Sequence, residues 1–341
     1  MDHILAIFDS EKKYVKKLVS YLESRVKMPF RILGFDNREK LIRYLVKEHA
    51  SVLLVSVNEW QSEMESLAGQ IILLTDRKEG ERLETDLREG QLPAVCKYQS
   101  GEAIAKKVLS ICAVAEIPII PVRDRLCAQS GRAEIIGVYT PVRRSLQTSF
   151  SLVYSLLRAK EKKTLYLNFE VFSGFGTWFQ KEYKTDLMDL MYFLDGEEEK
   201  FLLKLAGMAE TFGNIQYIPP AISYEDFMMV GAGEWVRLLD MIAQKSDYEV
   251  IVLDLGDQMQ GLFDILSICD KIYTISKPDG LAMAKVAAFE EALRLSQKED
   301  VLHKLVKCRL PVFKEIPQTA EMLAYSQLAD YMKNKLGEMQ G

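Results

Sequence analysis

The stretch whose residue types and spacing could do chemistry runs Thr140, Pro141, Val142, Arg143, Arg144, Ser145, Leu146, Gln147, Thr148, Ser149. It follows the apolar run Ile135, Ile136, Val138. It precedes a segment with helical spacing, Leu152, Val153, Leu156 and Leu157. A strand, a loop and a helix start in that order make a cradle for a phosphate, because backbone N–H groups and the helix dipole converge on an anion there. A loop that wraps phosphate closely needs glycine, and a lysine to reach the terminal phosphates. Leu146 and Gln147 stand where that pair is expected. Thr148 keeps a hydroxyl suited to Mg2+, and Arg143 and Arg144 supply positive charge.

Further on, Asp254 closes the apolar run Val250, Ile251, Val252, Leu253, two residues ahead of Gly256. A carboxylate at such a strand end holds Mg2+ in phosphoryl-transfer sites; the same residue also serves as a turn or cap aspartate. Asn168 ends another run, and its amide carries no negative charge. Lys277, Pro278 and Asp279 follow a third run, where Asp279 is equally suited to cap a helix starting near Leu281. Phosphoryl transfer rests mainly on charge stabilisation, so a cradle without its lysine is expected to hydrolyse very slowly or not at all. In the first third of the chain, Asp9, Ser56, Thr75 and Lys97 each end an apolar run.

The 341 residues suggest about two domains, and nearly half are hydrophobic, enough for two cores. A net charge of -5 gives no reason to expect nucleic-acid binding. Five cysteines without a CxxC pair and three histidines make zinc improbable and suggest reduced, buried thiols. No apolar run approaches a membrane span, and the N-terminus lacks a signal-peptide pattern, so a cytoplasmic protein is expected.

Two successive alternations of strand and helix must position these residues. Strands are expected over 3–8, 30–35, 51–57, 71–75 and 94–98, with helices over 13–25, 38–48 and 101–114. This is an α/β, doubly wound parallel sheet over residues 1–115. Residues 116–133, with Pro118 and Pro121, read as a linker. A second, mostly parallel α/β domain is expected over 134–341. Its strands lie near 134–138, 164–169, 214–218, 248–255 and 271–276, with a last strand over 312–316. Residues 195–200 read as a solvated charged break, and 320–336 as the C-terminal helix.

The first alternation resembles a response-regulator receiver domain, which is flavodoxin-like. Asp9 matches its acidic metal-binding position, Thr75 its hydroxyl and Lys97 its lysine. Ser56 stands in place of the phospho-acceptor aspartate, and Phe8 in place of the first acid. The resemblance therefore implies a pseudo-receiver that is not phosphorylated, used for docking or dimerisation. The second alternation is similar to the ParA/MinD group of P-loop ATPases. Val142 replaces the signature lysine and Gln147 the P-loop lysine. As a whole the chain resembles the CpaE/TadZ family, which positions Tad-type (Flp) pilus assembly machinery in bacteria.

That resemblance implies a nucleotide site at Thr140, Pro141, Arg143–Ser149 and Lys277–Asp279, with Mg2+ on Thr148 and Asp254. It places Asn168 at a degenerate catalytic position and makes Asp254 the catalytic acid if the site is active. It also implies a homodimer, pilus-assembly or secretion proteins as partners, and recruitment to a cell pole or inner membrane through them. Binding of ATP with Mg2+ without turnover and no binding at all are both compatible with the residues. A working ATPase using Arg143 or Arg144 in place of lysine is the alternative. An atypical response regulator is a second one, for which no helix-turn-helix with a basic face is apparent.

Overall fold

The computed structural model describes residues 3–25, 30–76, 92–114 and 131–339. The expected linker lies outside the described residues as far as 130. In chain order the elements are β1 (Ile4–Phe8), α1 (Lys12–Arg25), β2 (Arg31–Phe35), α2 (Arg38–Leu45), β3 (Ala50–Ser56), a 3-10 turn (Ser62–Leu67), β4 (Ala68–Thr75), β5 (Ala94–Cys96) and α3 (Gly101–Val114). There follow β6 (Glu134–Val138), α4 (Gln147–Arg158), β7 (Thr164–Phe169), α5 (Phe175–Phe179), α6 (Leu187–Met191), α7 (Glu198–Met208), β8 (Glu210–Phe212) and β9 (Ile215–Ile218). The last third holds α8 (Tyr224–Met229), α9 (Ala232–Lys245), β10 (Val250–Leu255), α10 (Leu262–Ile268), β11 (Lys271–Ser276), α11 (Gly280–Leu295), α12 (Glu299–Lys304), β12 (Leu305–Arg309), α13 (Ala320–Leu323) and α14 (Gln327–Met339).

These elements form two compact units. The first takes the described residues before 115 together with 196–207, and the second takes the rest. The first unit is a five-stranded parallel sheet in the order β2-β1-β3-β4-β5, one of the common doubly wound orders. Its central strands are buried on both faces, which is why β3 reads as the unbroken apolar run Val52, Leu53, Leu54, Val55. One face packs on Leu18 and Leu22 of α1 and Val108 of α3, the other on Leu41 and Leu45 of α2.

The second unit is a seven-stranded sheet in the order β12-β11-β6-β10-β7-β9-β8. All its pairs are parallel except β8 with β9. β10 is central, and its register sets Asp254 beside Val138 of β6 and Asn168 of β7. Val250 and Val252 face the same core as Phe150 and Tyr154 of α4. Strand alternation then sends Asp254 to that face as well.

Two expectations are corrected. The last strand is Leu305–Arg309, paired with β11, and not 312–316. Pro311 and Pro317 bracket the expected segment, and Val312 is fully exposed. The charged break at 195–200 is cut short by α7, which begins at Glu198. Glu198 and Glu199 sit in its first turn, where the helix dipole favours negative charge, and Phe201 and Leu205 are buried.

Within the first unit, Leu203 joins the core that contains α3. A Cβ on Gly207 would lie 3.2 Å from the backbone nitrogen of Ser110. The two helices are in backbone contact there, and a side chain has no room. Gly207→Val is expected to destabilise the first unit by about 1–3 kcal/mol. Faster hydrogen exchange of the β1–β5 amides checks this; unchanged exchange would count against the contact.

Candidate functional site

The loop after β6 carries Thr140 to Leu146, and α4 starts at Gln147. Phe150, Val153, Tyr154 and Leu157 recur at helical spacing and seat α4 on the sheet. Two loop residues other than glycine adopt the left-handed conformation, Arg144 at φ 56° and Leu146 at φ 65°. The backbone thus turns left-handed at two positions where side chains cost about 1–2 kcal/mol each. The cleft over this loop measures about 420 Å³. Val142, Arg143 to Ser149, Glu170, Gly256 and Asp257 are among its lining residues.

The centre of the site is occupied by Gln147. Its side-chain oxygen accepts the Thr140 N–H at 2.9 Å. Its Nε2 donates to Asp254 Oδ1 at 2.6 Å and to the Leu255 carbonyl at 2.9 Å. One donor end and one acceptor end meet partners of the matching kind, so the amide orientation is fixed by its surroundings. The other oxygen of Asp254 accepts from Tyr166 Oη at 2.9 Å and from Asn168 Nδ2 at 3.2 Å. Asp254 is wholly buried. Burial pushes its pKa up, against the bonds from Gln147 and Tyr166 that favour the ionised form.

Thr148 Oγ1 donates to Glu170 Oε2 at 3.3 Å. Burial, and then the charge of Asp254, push the Glu170 carboxyl up to about 7. Arg143 is tied to Asp257 at 2.7 Å, and Tyr139 Oη donates to the same carboxylate at 2.8 Å. Arg144 and Ser145 line the cleft, and so does Ser149. Pro141, Asn168, Asp254 and Lys277–Asp279 do not. Asp279 instead accepts the Ala282 N–H at 2.9 Å and caps α11, the other role the sequence allows.

Mg2+ with ATP does not suit these residues. The Gln147 amide takes the Thr140 N–H, both oxygens of the buried Asp254 accept hydrogen bonds, and Arg143 is paired with Asp257. Among the described residues, no group of three or more His, Cys, Asp or Glu is placed to hold a metal ion. Sequence reasoning overlooked Tyr166 and gave Asp257 no role. Tyr166, Asn168 and Glu170 alternate along and just past β7. That period of two was the available signal.

In the first unit, Asp9 follows β1, Ser56 ends β3, Thr75 ends β4 and Lys97 follows β5. The buried Lys97 ammonium lies 3.3 Å from Asp9 and 3.5 Å from both Glu11 and Asp76. Burial opposes its charge, but Asp9 and Asp76 outweigh burial and raise its pKa. Ser56 is buried.

No family model matches the chain, and no curated protein does. Solved structures similar to it include a ParA family ATPase from Chlorobium tepidum, 14% identical over 60% of this chain and 94% of that one, with a TM-score of 0.46. Apo McdA from Cyanothece is 10% identical over 58% of this chain and 81% of its own, with a TM-score of 0.42. The septum site-determining protein MinD from Pyrococcus horikoshii, in complex with Mg-ADP, is 13% identical over 57% and 76%, with a TM-score of 0.40.

The raised Glu170 fixes a pH dependence. Between its unfolded value near 4.3 and about 7, the folded chain holds a proton that the unfolded chain has lost. This contribution therefore favours folding as pH falls through that window, and its cost is complete above it. Glu170→Gln is expected to be more stable than the parent at pH 8, with the difference shrinking toward pH 5. Urea unfolding at both pH values checks this; an equal offset at both would refute it.

Proposed function

We propose that this chain is a localisation or scaffold protein of Tad (Flp)-type pilus assembly, built on a ParA/MinD-like unit that does not turn over ATP. The observation that carries the reading is the Gln147 side chain. It lies at the position of the P-loop lysine, and it binds the loop and the acid of β10 to each other instead of leaving them for a ligand. The resemblance of the whole sequence to the CpaE/TadZ family supplies the pilus context. The receiver-like reading of the first unit supplies a docking module: Ser56 replaces the acceptor, and Lys97 is ion-paired with the acids around it. In this reading the chain works as a homodimer and reaches a pole or the inner membrane through partners. No helix among the described residues is long and apolar enough to cross a membrane itself.

The rival reading is a working ATPase in which an arginine replaces the lysine. Arg144, which lines the cleft and is not tied to Asp257, is the feature that favours it.

Calorimetry with Mg-ATP is expected to give no heat and no turnover for the natural chain. The double change Leu146→Gly, Gln147→Lys is expected to gain ATP affinity by at least about tenfold, since it restores close backbone approach and a cation. In cells lacking the protein, Thr148→Ala and Arg144→Ala chains are expected to restore piliation as well as the parent. Turnover by the parent that Arg144→Ala abolishes would establish the ATPase instead.

A further inference from the structure

Outside the cleft, the second unit presents apolar side chains on α8 and the turns beside it. Phe172, Ile222 and Met229 are 79%, 67% and 80% exposed, and none of them lines the cleft. The Phe172 ring lies parallel to that of Tyr224, the first residue of α8, with centroids 6.2 Å apart. A soluble chain commonly exposes single apolar side chains, whereas several together mark an interaction site. The support beneath them is fixed. Asp186 Oδ2 accepts the Ile222 N–H at 2.8 Å, and Ser223 Oγ caps α8 by accepting the Asp226 N–H at 3.2 Å. Phe227 is buried against Trp235 of α9, and Gln260 Nε2 donates to the Met228 carbonyl at 2.8 Å.

The charge on this patch has one sign. Residues 170–180 and 219–234 hold Glu170, Glu225, Asp226 and Glu234 and no lysine or arginine. With 3.6 residues per turn, Met229 emerges between Glu225 and Asp226 on the side of α8 away from Phe227. Glu225 and Asp226 are exposed, and neither carboxylate has an ion-pair partner among the described residues. Acids in a first turn also suit the helix dipole, but that role calls for no exposed methionine or phenylalanine beside them. A second copy docked through the same patch would set these acids against their own images, because a twofold contact is self-complementary. The same charge repels nucleic acid and an anionic membrane surface. What complements the patch is a cation-bearing partner with apolar side chains.

We propose that this patch docks a basic amphipathic segment of a partner protein, in which Lys or Arg are spaced between large apolar residues. The apolar side chains pack on Phe172, Ile222 and Met229, and the cations pair with Glu225 and Asp226. A guanidinium also suits the exposed face of Phe172. The surface stands whether or not the cleft takes nucleotide, and whether or not the chain dimerises elsewhere.

The test is fluorescence anisotropy of the full chain with a labelled Leu/Lys peptide of helical period, about 18 residues long, and with its Leu/Glu counterpart. It is repeated on Phe172→Ser/Met229→Ser and on Glu225→Gln/Asp226→Asn. A control, Glu321→Gln/Asp330→Asn, makes the same change of net charge on α13 and α14. The expected result is saturable one-to-one binding of the Leu/Lys peptide with Kd below about 100 μM. The apolar double change is expected to weaken binding about tenfold and the charge double change about fivefold, with the control within about twofold of the parent. The Leu/Glu peptide is expected not to bind. The proposal is overturned if the basic peptide does not saturate, if either patch variant binds as the parent does, if the control weakens binding as much, or if the acidic peptide binds alike. It is overturned too if Phe172→Ser/Met229→Ser dissociates a dimer of the parent in sedimentation velocity, since the patch then belongs to a second copy. Should one patch variant fail to fold, the other decides the matter.

Discussion

The second unit is built around a carboxylate that has no access to water. Asp254 lies on the central strand of the sheet and accepts bonds from Gln147, Tyr166 and Asn168. An isolated charge at that depth would cost many kcal/mol. Each charge-assisted bond returns about 1.5–3 kcal/mol, and leaving one donor unpaired loses that and more. The donors come from α4 and from β7, so the position of the helix, the register of the strands and the state of the acid are one constraint. The same three bonds that make the burial tolerable engage both oxygens of Asp254.

The loop above it shows a related trade. Arg144 and Leu146 hold left-handed backbone conformations without being glycine. That strain persists because the surrounding contacts fix the loop: the Thr140 hydroxyl donates to the Ile275 carbonyl at 2.6 Å, and the Gln147 oxygen holds the Thr140 N–H. On the far side, a Cβ on Gly256 would come within 2.9 Å of the Phe169 carbonyl. The Gln147 side chain joins the strand ends, bonded to Thr140 after β6 and to Asp254 and Leu255 of β10.

In the first unit an internal ion performs the matching service. The Lys97 ammonium stands among Asp9, Glu11 and Asp76 at the ends of the strands, and Tyr14 and Tyr98 lie within 5.4 and 5.5 Å of it. One ammonium offsets part of the repulsion among these three carboxylates. Both units thus carry partners for their own polar groups at the strand ends where doubly wound sheets bind ligands.

Much of this was legible in the sequence. The apolar runs at 52–55 and 250–253 announced buried parallel strands, because such strands are apolar on both faces. Asp279 was readable as a cap, since capping depends only on residues three apart. Missing glycine and lysine at Leu146 and Gln147 were visible as well. The sequence also misled where competing segments had similar local preferences. The edge position went to 305–309 instead of 312–316, and charge at 197–200 hid the start of a helix. What Gln147 does was decided only in three dimensions. Its partners lie 7 and 107 residues away, and β10 brings Asp254 beneath it only once the sheet register is set. A substitution shows which chemistry is lost. Only the tertiary structure shows that the replacing amide fills the site, because hydrogen bonding between distant residues depends on registry and burial that local sequence does not encode.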